Sequence, residues 1–306
     1  MRGWTTKDMP DLTGRTAIVT GANTGLGYQT ALALAGAGVQ VVLAARSASK
    51  GNEAMARIRA ACPAVPLTFS LLDLASLASV KDFAERMAQG HDSIDLLINN
   101  AGIASPSRRL TTSDGFEMQF GVNFLGHFAL TARLLPLLLK ANAPRVVSLS
   151  SIMHKYGRIN LDDLMSEHPY SPVRSYNQSK LATLIFAREL QHRSDRNRWG
   201  LLSVAAHPGV ARTELTKARP GQPVLRFNRV FDMIAPLFTG TAASGSLPSL
   251  YAATAPDVMP GGYYGPTGWG EIKGPPGPAK AAASSQDGDL ARALWARAES
   301  YTGIAF

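Results

Sequence analysis

The 306-residue chain has a single cysteine, Cys62, so no disulfide can form within it and the fold must rest on packing. No His/Asn pattern around Cys62 suggests a nucleophile, so it reads as a partly buried small side chain in a protein of the reducing cytoplasm. Charge is sparse as well: Asp, Glu, Lys and Arg make up 17% of residues, and acids are the scarcer sign, 22 against 31 bases, leaving a net charge of +9. Those bases are scattered, without a Lys/Arg block or a nucleic-acid motif, so nucleic acid is not an expected partner, whereas a phosphate-bearing ligand would need only a few of them. Long hydrophobic runs are missing too. The opening MRGWTTKDMPDLTGR has no apolar stretch of leader length, and the greasiest segment, Phe124 to Leu139, is interrupted by His127, Arg133 and Pro136. No integral membrane segment is expected; a core helix explains that stretch better. His, Cys, Asp and Glu do not cluster at metal-ligand spacing, so no metal is expected.

What is present is alternation. Thr16–Thr20, Val39–Ala45, Leu67–Leu71, Asp95–Ile98, Arg145–Ser150 and Leu201–Ala206 are near-continuous apolar runs, the pattern of strands buried on both faces of a parallel sheet. Helical patterns separate them at about 25–36, 49–60, 76–89, 114–140 and 175–198, and a short helix from about Asp287 to Glu299 closes the chain. This alternation predicts an α/β fold, one doubly wound parallel sheet of Rossmann type flanked by helices, formed by 1–306 as a single domain with its core in 13–210. Between Thr213 and Phe238 the pattern loosens around Pro220, Gly221, Pro223 and Pro236, mixing basic and aromatic residues. Residues 213–240 read as a substrate lid, as an ordinary surface excursion, or as a stretch resting on a membrane surface. Residues 260–306 form a C-terminal extension whose Pro260 to Pro278 stretch reads as irregular loop.

The first strand runs into Gly21-Ala22-Asn23-Thr24-Gly25-Leu26-Gly27 and then a helix. Gly21 permits a tight turn, while Gly25 and Gly27 let the backbone approach a pyrophosphate and a neighbouring strand. The helix N-terminus offers unpaired N–H groups and the positive end of a dipole. Strand before and helix after make this a nucleotide-binding turn, although its spacing, G-x-x-x-G-x-G, is not the commoner G-x-G-x-x-G.

From this turn onward the chain resembles the short-chain dehydrogenase/reductase family. TGANTGLG at 20–27 looks like its cofactor loop, Asp73-Leu74 its adenine-side acid, Asn99-Asn100-Ala101-Gly102 its NNAG segment, and Tyr176-Asn-Gln-Ser-Lys180 its YxxxK signature. Asn123 falls at its catalytic asparagine, Ser151 at its serine, and His207-Pro208-Gly209, followed by Val210 and Thr213, matches its PG motif. VVLAAR, LLDLASLASV and SSIMHKYG are similar to the retinol dehydrogenase and protochlorophyllide reductase-like branch. The match covers residues 13–215 and is loose over the last ninety, where substrate choice lies.

The resemblance implies hydride transfer between a nicotinamide cofactor and a carbonyl or alcohol, with a homodimer or homotetramer as the assembly. Tyr176 and Lys180, four apart on a predicted helix, share a face; a nearby cation lowers a phenol's pKa, so Tyr176 can serve as general acid for reduction or base for oxidation. Lys180 is implied to bond the nicotinamide ribose, Ser151 to hold the substrate oxygen, and Asn123 to hold a water leading from the lysine to solvent. The plainer alternatives are a buried serine capping the strand end and an interior asparagine satisfied by backbone. Asn100, Ala101 and Gly102 would border the adenosine ribose, Asp73 would either meet adenine or cap the helix near Ser76, and Pro208, Gly209 and Thr213 would line the nicotinamide pocket. His154 reads as a loop residue near the pocket. At the end of the second strand, where an acid commonly binds both ribose hydroxyls, stand Ala45-Arg46-Ser47. Arg46, assisted by Ser47 and Lys50, suits a 2′-phosphate, which predicts NADP(H) over NAD(H); the alternative is that Arg46 stacks on adenine. The rival to an enzyme is a catalytically silent NADP(H)-sensing protein, which intact Ser151, Tyr176 and Lys180 argue against.

Overall fold

The computed structural model describes residues 3–104, 106, 108–210 and 240–306. Six parallel strands come first: β1 (Thr16–Thr20), β2 (Gln40–Ala45), β3 (Leu67–Leu71), β4 (Leu96–Asn99), β5 (Arg145–Leu149) and β6 (Leu202–Ala206). Two more, β7 (Tyr263–Pro266) and β8 (Pro276–Pro278), complete one sheet in the order β3-β2-β1-β4-β5-β6-β7-β8. All neighbours are parallel except β7 with β8. The sheet is the expected doubly wound α/β sheet of Rossmann type. Its order reverses between β1 and β4, and ligands of such sheets bind at the carboxyl ends of the strands beside that switch point.

The helices are α1 (Gly25–Gly36), α2 (Ala48–Ala61), α3 (Leu77–Gly90), α4 (Met118–Leu138), α5 (Pro172–Asn197), α6 (Ala242–Thr254) and α7 (Gly288–Thr302). One face of the sheet buries Leu34, Ile58 and Leu250 from α1, α2 and α6; the other buries Phe83, Phe128, Leu181 and Trp295 from α3, α4, α5 and α7. Among the described residues α4 is the one helix long and apolar enough to cross a membrane, and 89% of its most apolar stretch is buried in the core.

Two expectations for the last third are corrected. The stretch Pro260 to Pro278 is not irregular loop; it supplies β7 and β8. Its prolines misled because Pro lacks a ladder donor, yet β8 is an edge strand, where that loss is tolerated. Helix α6 was not anticipated, because Gly245, Pro248 and its run of small residues give no clear helical period; Thr241 caps it by accepting from Ser244 N–H at 3.1 Å. The lid reading of 213–240 and Thr213 lie outside the described residues, Gly240 apart.

The chain end is bound into the core by rings. Phe128 of α4, fully buried, lies 5.0 Å from both Trp295 and Phe306 and 5.7 Å from Phe186, centre to centre. Phe128→Ala should therefore lower the unfolding free energy by about 3–5 kcal/mol. Urea denaturation checks this; a loss below about 1 kcal/mol would mean that the cluster collapses around the gap.

Candidate active site

The site begins where β1 and β4 end. Thr20 closes β1, and its Oγ1 accepts the backbone N–H groups of Asn100 and Ala101, both at 2.9 Å. Its carbonyl accepts Asn100 Nδ2 at 2.7 Å. The glycine turn after β1 and the NNAG segment after β4 are thereby tied into one crevice. Gly21 has φ +67°, a left-handed conformation that favours glycine. A Cβ on Gly27 would overlap the Gly21 carbonyl and the Asn100 amide, so the first turn of α1 touches both loops only because Gly27 has no side chain.

A dinucleotide fits this cradle on three observations. Thr24, the N-cap of α1, makes no side-chain cap bond, which leaves the helix's leading N–H groups open to a phosphate. Asn100 Oδ1 is buried with no partner among the described residues. Arg46, exposed at the end of β2, has no hydrogen bond or ion pair among the described residues, so its guanidinium is available. Ser47 accepts Lys50 N–H at 3.4 Å as the cap of α2, and its hydroxyl proton is still free to donate. Leu26 and Leu74 bury their side chains in the core and can offer only backbone. Asp73 is not the cap of α3; Ser76 is, and Asp73 Oδ1 accepts Ala75 N–H at 3.0 Å.

Helix α5 carries the chemistry. It starts at Ser171, which caps it, followed by Pro172, a residue suited to a first turn. Along its middle it is buried all round, between the sheet and α4 and α7, so its polar side chains must find protein partners. Lys180 is only 5% exposed, and its Nζ donates to the Leu149 carbonyl at 2.9 Å. Burial pulls its pKa down to about 8. One turn earlier, the Tyr176 phenol faces the Ser151 side chain, whose nearness opposes the effect of burial on it. Ser151 Oγ itself accepts Met153 N–H at 3.2 Å, which leaves its proton to be donated outward.

The phenol departs from expectation. Burial pushes Tyr176 above its ordinary value, and the opposing pull comes from Ser151 rather than Lys180. The ammonium sits 5.9 Å from the ring centre and spends one proton on Leu149, so its field does not outweigh the desolvation of the phenolate.

Asn123 lies in a π-helical turn, Gly121–Leu125, within α4. Such wide turns release backbone groups from the helix ladder; here the Asn123 carbonyl meets His127 Nδ1 at 3.1 Å and accepts Thr183 Oγ1 at 3.3 Å. Its side chain accepts Ile103 N–H at 2.8 Å and donates to the Ile103 carbonyl and Ser179 Oγ at 3.0 and 2.9 Å. The side chain thus finds its partners in the Ile103 backbone and the Ser179 hydroxyl. It holds the backbone just after Gly102, where a Cβ would stand 3.2 Å from Asn123 Oδ1 and 3.4 Å from Lys180 Nζ.

The opposite wall is the segment after β6. Gly209, at φ +67°, donates to His207 Nδ1 at 3.2 Å, and Val210 N–H is held by the Ile272 carbonyl at 3.0 Å. Because His207 Nδ1 is an acceptor, its proton sits on Nε2, 3.4 Å from Glu271 Oε2. Glu271, held at φ +59°, also pairs with Lys155 at 2.8 Å. Thr20 belongs to the expected cofactor loop and His154 to the expected loop near the pocket, whereas His127, Tyr263 and Glu271 were not anticipated as site residues. Tyr263 and Glu271 lie in no motif, and the contacts of this group span up to 128 positions.

A doubly wound sheet, an uncapped helix behind a glycine turn and a Ser-Tyr-Lys cluster at the strand ends define a nucleotide-dependent oxidoreductase. Residues 15–223 match the short chain dehydrogenase family model, and the chain belongs to that family. It is 40% identical over 301 residues to mouse (Mus musculus) retinol dehydrogenase 13, covering 95% of this chain and 85% of that one. It is 39% identical over 301 residues to the mouse polyprenol dehydrogenase, covering 96% and 86%. A crystal structure of an uncharacterised Mycobacterium paratuberculosis protein superposes with a TM-score of 0.81 at 38% identity, over 100% of this chain and 99% of that one. A short chain dehydrogenase from Shigella flexneri complexed with NADP shares the fold, with a TM-score of 0.64 at 23% identity over 84% and 98% of the two chains. The chain is thus a short-chain dehydrogenase of the retinol dehydrogenase branch.

The packing at Gly27 is directly testable. Gly27→Ala forces α1 away from Gly21 and Asn100, and should cost about 1–3 kcal/mol in urea unfolding. An unchanged midpoint would show that the turn opens freely.

Proposed function

We propose that the protein transfers a hydride between NADP(H) and a carbonyl or alcohol, with Tyr176 as the group that gives or takes the proton. The observation that carries this reading is the buried Tyr176 phenol facing Ser151, one helical turn from a lysine only 5% exposed whose Nζ is fixed on the Leu149 carbonyl. The cofactor supplies or accepts the hydride when bound. Ser151 directs its hydroxyl proton at the substrate oxygen and stabilises charge developing there. Tyr176, kept protonated at neutral pH by burial, is suited to donate to that oxygen, which favours carbonyl reduction. Lys180 spends one N–H on Leu149, and its remaining protons are available to a ribose hydroxyl. Asn123 positions Gly102 and Ile103 at the mouth of the crevice, and Pro208, Gly209 and Val210 border the nicotinamide side.

The unpartnered Arg46, with no acid at the end of β2, supports NADP(H) over NAD(H); Ser47 and Lys50 stand beside it for the 2′-phosphate. Gly21, Asn23, Thr24, Gly25 and Gly27 would hold the pyrophosphate by backbone, and Asp73, Asn100 and Ala101 would face the adenosine. The names of the retinol and polyprenol relatives support starting a substrate panel with long apolar alcohols and their aldehydes.

In Tyr176→Phe, NADPH consumption should fall by about 10²–10⁴-fold while NADPH still binds. Turnover near that of the unaltered protein would end the assignment. Arg46→Asp should lower kcat/KM for NADPH by about 10–100-fold, the loss of a charge-assisted phosphate contact, and leave kcat/KM for NADH unchanged or raised. A protein that already prefers NADH before substitution would refute the NADP(H) reading.

A further inference from the structure

The Ser151 carbonyl collects an unusual number of donors. The backbone N–H of His154 reaches it at 3.0 Å, His154 Nδ1 at 2.6 Å and the Tyr263 hydroxyl at 3.3 Å. His154 is fully buried in the short turn Ile152–Tyr156 that follows Ser151. Its tautomer follows from its partners. Ala282 N–H donates to Nε2 at 3.1 Å, so Nε2 is an acceptor and the ring proton resides on Nδ1, facing the Ser151 carbonyl. Burial lowers its pKa, which keeps the ring in this neutral form. The Tyr263 ring stands edge-on to the imidazole at 5.1 Å, closing the other side.

These contacts fix the Ser151 carbonyl, and with Ser150 N–H held by the Ala206 carbonyl at 2.8 Å they hold from both sides the backbone that carries the Ser151 side chain beside Tyr176. Both outer partners of His154 belong to the C-terminal extension: Tyr263 lies in β7 and Ala282 follows β8. We propose that His154 is a positioning residue for catalysis, holding the Ser151 backbone through its ring so that the serine hydroxyl stays beside Tyr176, and tying that position to the C-terminal strands. The proposal rests on the function given above for Ser151 and Tyr176, and it assigns His154 no proton transfer of its own.

The test compares His154→Phe, which keeps the ring's volume and its contact with Tyr263 but loses both polar bonds, with His154→Asn, which restores an N–H at the δ position. Three quantities are read: kcat for carbonyl reduction, the NADPH Kd by fluorescence titration, and the Ser151 Oγ to Tyr176 Oη distance in a crystal structure of each variant. In His154→Phe, kcat should fall about 10–100-fold with Kd within about twofold and Ser151 Oγ displaced, as expected for a misplaced reacting group. His154→Asn should recover much of kcat and return Oγ to its place. Ser151 Oγ unmoved in His154→Phe overturns the proposal, whatever happens to the rate. So does a displaced Oγ that His154→Asn does not return. If the unaltered protein reduces no carbonyl with NADPH, the proposed function fails instead, and the Oγ positions still decide whether His154 holds Ser151.

Discussion

A lysine held almost wholly out of water is the constraint around which this site is built. Removing an ammonium from solvent is costly unless protein dipoles replace the water, and Lys180 has one such replacement here, the Leu149 carbonyl at the end of β5. That bond fixes the lateral position of α5 against the sheet. Because α5 is buried on every side, the neighbours of Lys180 must be satisfied as well: Ser179 by Asn123 and the Tyr176 carbonyl, Thr183 by the Asn123 carbonyl. The π turn of α4 supplies the Asn123 amide donor to Ser179 and the Asn123 carbonyl acceptor to Thr183, so the irregularity in one helix complements the polar face of another.

The same economy of contacts joins the two halves of the crevice. Thr20 binds the NNAG segment to the glycine turn, and His127, pulled down to about 4 by burial and hence neutral, lies 3.0 Å from the Thr20 hydroxyl from below. On the far wall, Glu271 faces His207 and Lys155, linking the segment after β6 to the turn after Ser151. A substrate oxygen would therefore meet groups whose directions are set by buried bonds rather than by flexible side chains, which is the preorganisation that electrostatic catalysis requires.

Much of this was legible from residue order. Strands buried on both faces must be continuously apolar, so β1, β2 and β3 could be placed almost to the residue, and β4 was misplaced by one position, its last residue being the polar Asn99 rather than an apolar one. The crevice was legible because each of its parts is local in sequence: the glycine turn runs straight into a helix start, and Tyr176 and Lys180 stand one turn apart on another helix. The direction of the Tyr176 pKa was not legible, since it depends on how deeply α5 is buried, and the edge strand β8 was hidden by prolines that an edge tolerates.

Sequence alone therefore determined the sheet's class, the glycine turn, the Tyr176 and Lys180 pair and Arg46 in place of an acid, because each is encoded by periodicity or short spacing; Ser151 was reached through the family resemblance. Tertiary structure alone decided that Asn123 braces Ile103, that His154 and Tyr263 grip the Ser151 carbonyl, and that Glu271 bridges two walls. Those groups come together only when chain segments from 20 to 116 positions apart pack on one another, and no local pattern records which distant donor will meet which buried acceptor.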